Sequence, residues 1–422
     1  MRAGNGAGGS RLVVGMKRRE LLGLGGAVLM ASCGSGSKPK KVEPGELLAV
    51  SVGDGMTVVE SGTGRRVVTP AATLATADGR RLVSAVAEPG ASRVVTRDAR
   101  TGDVVAQTTV RGAGRLAAVT PDAGLVALVD GDPAGRLETT IVVAGPAGER
   151  HRLKLPGFVQ PEAFSSTGTS LFVLDMLPPE HPDSYRVRVL DLAAGQLTAL
   201  NLPNAEAGVK VLVPEGAEEQ MRGEGRQAVF DARRQRLFTL YSHQPDHVHV
   251  RDLLHPETGA RDGRPDVHAF VHTLSVADGW AVCVDLPSSF GTGPVEGLTI
   301  AQRGEEVWVA DAGKGVLAVI SADVLAVTQE LRFTAVAGRA RLAVSSSAAY
   351  LAAGRQVQVF DTGSKSPRAT WALPGDTRGV AVSDTGLYVG QAEAVHRLHP
   401  ETGAPVATVT VPGLTAVEHV LG

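Results

Sequence analysis

One phrase recurs along most of the chain: a turn carrying Asp, Thr, Ser or Gly, followed by a strand in which apolar residues alternate. It reads TADGRRLVSAV from Thr76, TPDAGLVALV from Thr120 and SSTGTSLFVLD from Ser165. It returns as DARRQRLFTLY from Asp231, AQRGEEVWVAD from Ala301, SSSAAYLAAG from Ser345 and SDTGLYVGQ from Ser383. Most of the intervals between these seven copies are about 40–45 residues, and the two flanking Asp231 are longer. A second phrase follows the better-preserved copies, in which an extended run ends in a polar Thr-Gly or Ala-Gly turn and a further strand begins. VVTRDARTGDVVAQTTV, VRVLDLAAGQLTALNL, VQVFDTGSKSPRATWAL and VHRLHPETGAPVATVTV all have this form. Period-two alternation with β-branched residues predicts strands, and glycine in the turns supplies the positive φ of tight hairpins. No helical periodicity interrupts the pattern beyond Cys33.

Each repeat therefore holds four short antiparallel strands, which is one blade of a β-propeller. The ends of the chain complete the count. From Glu46 the sequence LLAVSV, MTVVES and RRVV supplies three strands without an opening one, and Leu414 to Val420 supplies an opening strand without the rest of its blade. Pairing the two ends closes a ring of eight blades, seven whole and one composite; a count of seven stays open. The expected organisation is an all-β propeller over 47–422, with insertions near 204–225 and 243–268.

The segment before Leu47 reads differently. Met16-Lys17-Arg18-Arg19 is a basic start, Leu21 to Met30 is apolar but too short to span a bilayer, and Met30-Ala31-Ser32-Cys33 places small residues before a cysteine. The last stretch resembles a bacterial lipobox, which implies lipidation at Cys33. Arg18 and Arg19, within KRRELL, resemble a twin-arginine export signal. Residues 1–15 fit neither element and read as an upstream extension; 16–32 read as the signal peptide and 33–46 as a Gly-Ser-rich tether. The expected address is the outer face of the plasma membrane, held by the lipid.

Charge narrows the partners. The whole chain carries a formal net charge of −2, and removal of the segment ending at Ser32 takes away five basic groups and one acidic group to leave −6. That balance argues against nucleic acid and gives no attraction to anionic membrane surfaces. With Cys33 lipidated, Cys283 has no disulfide partner, so packing must supply the stability. A monomer is expected.

At the level of family the chain resembles bacterial extracytoplasmic propellers of the YVTN/YncE-like kind. The best match is Val307-Trp308-Val309-Ala310-Asp311 through Gly315-Val316-Leu317-Ala318-Val319-Ile320, with DTG at Asp361-Thr362-Gly363. The resemblance implies a fold and not an activity, since propellers host many functions. Trp280, Trp308 and Trp371 are too few for the docking tryptophan in every blade of the quinone-cofactor dehydrogenases, and no recurring Gly-His or Trp-Asp pair marks a WD-type scaffold.

Candidate chemistry gathers in the fifth blade. Six of the eleven histidines cluster in one stretch, as His243, His247, His249, His255, His268 and His272. In Asp246-His247-Val248-His249 the residues i and i+2 of an extended strand face the same way, so two imidazoles can meet one ion. His243, Asp266 and His268 offer further ligands, and His272 fits either a ligand or a half-buried strand residue. Such a set suits Zn²⁺ or a similar divalent ion, or a metal-free polar pocket, or an ordinary polar loop. Cys283, in WAVCVDLP, reads as a small core residue. No cofactor-binding loop or nucleophile elbow is recognisable.

The hexapeptide HPETGA occurs at 255–260 and again at 399–404. The second copy fits the turn grammar of the other blades; the first falls in the histidine-rich insertion. The leading expectation is a scaffold that binds a protein, glycan or small molecule on one face. The alternative is an extracytoplasmic metal-dependent enzyme, lactonase-like or oxidoreductive, using the histidine-rich loop.

Overall fold

The structure is a computed structural model, and it describes residues 45–53, 55–68, 73–131, 137–203, 210–213, 218–222, 227–242 and 269–421. Seven of its sheets contain a regular four-stranded antiparallel unit, spanning residues 73–111, 114–156, 158–199, 227–285, 298–332, 341–372 and 377–410. The eighth is composite. Leu414–Leu421 pairs antiparallel with Leu47–Val52, which pairs with Gly55–Glu60, and a bridge from Val59 to Arg66 adds the outer edge. Numbering this composite as blade one makes 73–111 blade two and 377–410 blade eight. The chain is an eight-bladed β-propeller whose ring is closed by its first and last strands, as the repeat count predicts.

The recurrent phrases have a physical reason. Thr76 donates to Asp78 Oδ1 at 2.7 Å and accepts the Arg81 amide, so one hydroxyl closes the hairpin between the first and second strands. Thr120 does the same with Asp122 and Leu125. Ser165, Ser345 and Ser383 each accept an amide across the same turn. The second phrase closes the hairpin between the third and fourth strands. Asp98 Oδ1 accepts the amides of Arg100 and Thr101, and Asp191 and Asp361 repeat the arrangement. These side chains mimic backbone acceptors in tight turns. Gly102, at φ +81°, then takes the left-handed position before the next strand.

Between the blades lie layers of Val, Leu and Ala with a few large rings. Trp308, Phe360 and Leu317 fill the seam between blades six and seven, and Phe238, Phe290 and Val309 the seam between five and six. Small and medium apolar residues fill these flat seams, so few aromatics are needed.

Two further short strands, Asn201–Pro203 and Lys210–Leu212, extend the outer edge of blade five by way of Asn201 beside Trp280. The sequence marked 204–225 as an insertion; within it Lys210–Leu212 pairs antiparallel with Asn201–Pro203. The following segment, 218–222, is strapped onto blade four. Met221 bridges to Tyr185, and Glu218 accepts Arg186 Nη1 and Arg188 Nε, both at 2.8 Å. Among the described residues the one helical turn is the 3-10 turn Val295–Gly297.

The strand order gives the ring two unlike faces. Both turn phrases lie on one of them. On the other, each inner strand begins and each second strand passes to the third. Every long connection starts and ends on this second face, including those leaving Ser242 and returning at Ala269. The chain enters the ring on the regular face, where Glu46 accepts a hydrogen bond from Tyr388.

Candidate ligand site in the central channel

The inner strands line a central channel. Its mouth, on the face with the long connections, encloses about 660 Å³ and is edged by Gly53, Gly114, Arg115, Arg339 and Thr415. A second chamber of about 530 Å³ lies deeper, against the inner strands of blades five to eight and blade one. Arg341 and Glu418 line both volumes and so mark the waist between them.

Glu418 reaches the channel through a backbone irregularity. Ala49 pairs with His419 and Val50 with Val417, which leaves Glu418 as the extra residue of a β-bulge in the closing strand. Bulges re-aim side chains, and this one directs a carboxylate into the waist. Ser51, on the neighbouring strand, donates to Glu418 Oε1 at 2.6 Å and fixes its orientation. Glu162 occupies the matching bulged position in the inner strand of blade four, between Pro161 and Ala163.

Arg341 opens the inner strand of blade seven and is half-buried. Burial lowers its guanidinium pKa; Glu418 opposes the shift and Arg339 adds to it. Its Nη1 donates to the Ala340 carbonyl at 3.2 Å. Deeper in the channel, burial lowers the His419 pKa below its ordinary value against the opposing pull of Glu418, so the ring is neutral at neutral pH. Gln227 Nε2 donates to the Leu298 carbonyl at 2.6 Å, and Gln302 bonds Gly304 and Asp231. The arrangement offers guanidinium donors, one oriented carboxylate and amide groups around an open axis, which is the equipment of a polar binding site.

The histidine-rich expectation meets the structure at one residue. His243, Asp246, His247, His249, Asp266 and His268 lie outside the described residues, as does the first HPETGA copy with His255. His272 lies in the third strand of blade five, Ala269–Ser275, whose seven residues are all buried. It pairs with Thr239 and Cys283, and Tyr241 meets it edge-on at 6.2 Å between ring centres. Cys283 is buried, with Sγ 3.4 Å from Glu219 Oε2, as a small core residue. His272 also borders a small cavity of about 30 Å³ with Glu218, Glu219 and Asn201. Among the described residues no three His, Cys, Asp or Glu side chains are grouped to hold a metal ion. Cys33, Arg18 and Arg19 lie outside the described residues.

The sequence reading missed the channel groups, although a signal was present. RGAGRLAAV at 111–119 and VAGRARLAV at 336–344 share an Arg-Leu-Ala at the start of an inner strand, placing Arg115 and Arg341 at the same point of blades three and seven.

No known family profile matches the sequence, and no curated protein matches it. Solved structures do. Apo AztD from Citrobacter koseri superposes with a TM-score of 0.50 at 13% identity, covering 89% of this chain and 96% of that one. The dihydro-heme d1 dehydrogenase NirN in complex with DHE gives 0.47 at 14%, with 92% and 77% covered. BamB from Moraxella catarrhalis gives 0.45 at 14%, with 87% and 92% covered. At such identity the shared property is the propeller fold.

Proposed function

We propose that this protein is a membrane-tethered extracytoplasmic propeller that binds a ligand or partner at the mouth of its central channel. The observation that carries the reading is the waist, where Arg341 and the bulged, Ser51-oriented Glu418 border both the mouth and the deeper chamber. A chain built only as a rigid ring has no need of an oriented carboxylate on its axis. Rigid inner strands supply the positioning, and the long connections that begin and end on the same face supply variable surface.

The tether agrees with this geometry. The lipobox-like stretch ends at Cys33, and the ring begins at Leu47, after Glu46 on the regular face. The stretch 34–46 between them reaches at most about 45 Å when extended. A lipid at Cys33 would therefore keep the start of the ring within that reach of the membrane surface.

Two measurements test the reading. Membrane fractionation of the full chain and Cys33→Ala, expressed in a bacterial host, should move the variant from the membrane to the soluble fraction. A variant that stays with the membrane removes the lipid tether. A thermal-shift screen of small metabolites on the full chain should give stabilising compounds whose effect shrinks in Arg341→Gln; compounds acting equally on both proteins place binding elsewhere.

A further inference from the structure

We propose that the channel mouth is an anion site, and that it takes a small molecule bearing two or more carboxylate or phosphate groups, held between Arg339 and Arg341 on one side and Arg115 on the other. The inference rests on the mouth being a binding site and adds the chemical class of its ligand.

Arg115 is the second residue of the inner strand of blade three; Arg341 opens the inner strand of blade seven and Arg339 lies two residues before it. In a ring of eight these blades stand opposite one another, so the cationic groups form two poles across the mouth. Among the described residues edging this volume Glu418 is the one acidic group, and its carboxylate already accepts the Ser51 hydroxyl. The described residues of the edge thus carry a formal excess of two positive charges.

Among the described residues these cations also lack the carboxylate partners that other arginines have. Among the described residues no carboxylate lies within 4.0 Å of Arg115, Arg339 or Arg341, whereas arginines elsewhere in the ring are clamped. Arg152 bonds Glu149 and Asp130; Arg234 bonds Asp231 and Asp323. Arg341 is half-buried, and burial together with Arg339 disfavours its charged form more than Glu418 favours it. An incoming carboxylate or phosphate would restore that loss and accept a forked pair of N–H bonds.

The remaining properties agree. A mouth of about 660 Å³ suits a small molecule and not a polypeptide segment. The chain as a whole is negative, at −2, so the cationic mouth is a local reversal of sign that steers anions to the axis. Two cationic poles across an opening are matched by a ligand with separated negative groups and not by a single small ion.

The test is calorimetric titration of the full chain with citrate and, separately, with pyrophosphate; maltose and spermidine serve as neutral and cationic probes. The inference expects one of the two anions to bind and spermidine not to, and which anion wins assigns carboxylate or phosphate. Arg341→Gln should weaken that binding about tenfold or more, the loss expected when a charged hydrogen-bonding group is removed. Arg341→Lys should weaken it less, and Arg115→Gln by a few-fold, because Arg115 is exposed. Raising the salt from about 50 to 500 mM should weaken the anion further. Unchanged urea midpoints in the variants separate lost binding from lost folding. Silence from both anions, or binding undiminished in the Arg115→Gln, Arg341→Gln double variant, overturns the inference. If maltose binds and responds to Arg341→Gln while the anions do not, the mouth stands as a binding site and only its proposed ligand class falls. If no probe of any charge binds and the metabolite screen is also empty, both readings fall.

Discussion

Closure of the ring can be tested at a single carbon atom. Gly379 lies in the inner strand of blade eight and pairs, in parallel, with Val417 of the closing strand. Its φ is +93°, a region L side chains rarely adopt. A Cβ placed there would lie 2.8 Å from the Val417 nitrogen and closer still to its carbonyl oxygen, both backbone atoms that cannot rotate away. Gly379→Ala therefore combines two costs. The unfavourable φ contributes about 1–2 kcal/mol, and pushing a packed backbone aside contributes about 1–3 kcal/mol. The expected destabilisation is about 2–5 kcal/mol. Gly413→Ala is the matched control, since its φ is +76° but nothing lies within 4 Å of the added carbon. It should lose only the first part, about 1–2 kcal/mol. Urea unfolding of both variants gives the difference. Hydrogen exchange then locates it, because amides of Leu47–Val52, paired with the closing strand, should lose protection in Gly379→Ala and keep it in Gly413→Ala. Equal losses in the two variants, within about 0.5 kcal/mol, would refute the claim that close approach of the closing strand demands glycine.

Three further outcomes are expected. Glu218→Ala leaves Arg186 and Arg188 with Asp175 as their one carboxylate among the described residues, in a largely buried cluster, so stability should fall by about 3 kcal/mol or more, read as a lower urea midpoint and faster proteolysis around 218–222. Burial lowers the His419 pKa, so the neutral ring favours folding above the ordinary value of 6.5 and that contribution is lost as pH falls through the lowered value; His419→Gln should flatten the stability–pH curve below about 6.5, and an unchanged curve would show the ring to be solvated. If the histidine-rich connection holds a divalent ion, the purified full chain should carry zinc or a similar metal at one per chain, lost in the His247→Ala, His249→Ala double variant; metal-free protein would retire that expectation.

What the sequence showed and what it hid follow the two faces of the ring. The regular face is built from side chains that perform a local task. Thr76, Thr120 and Ser383 close one hairpin type, and Asp98, Asp191 and Asp361 the other, each through a near neighbour in the chain. A task confined to one turn leaves a fixed spacing, and fixed spacing repeated at one period reveals the propeller. The second HPETGA copy belongs here: the Gly403 amide donates to the His399 carbonyl, and His399 Nδ1 accepts the Glu401 amide, so its histidine serves the turn. The first copy belongs to the connection between Ser242 and Ala269, whose ends lie on the other face, so identical letters stand in unlike contexts. The channel groups escaped for a different reason. Arg115, Arg341 and Glu418 come together from distant parts of the chain, and no local rule links them. Glu418 was further hidden because a bulge breaks the alternation by which an inward side chain is recognised. On the proposed reading, the binding site is assembled across the ring, at the starts of inner strands and the bulges within them. For a chain of this kind, the informative search is therefore a comparison of equivalent positions in successive blades, where Arg115 and Arg341 already stand in register.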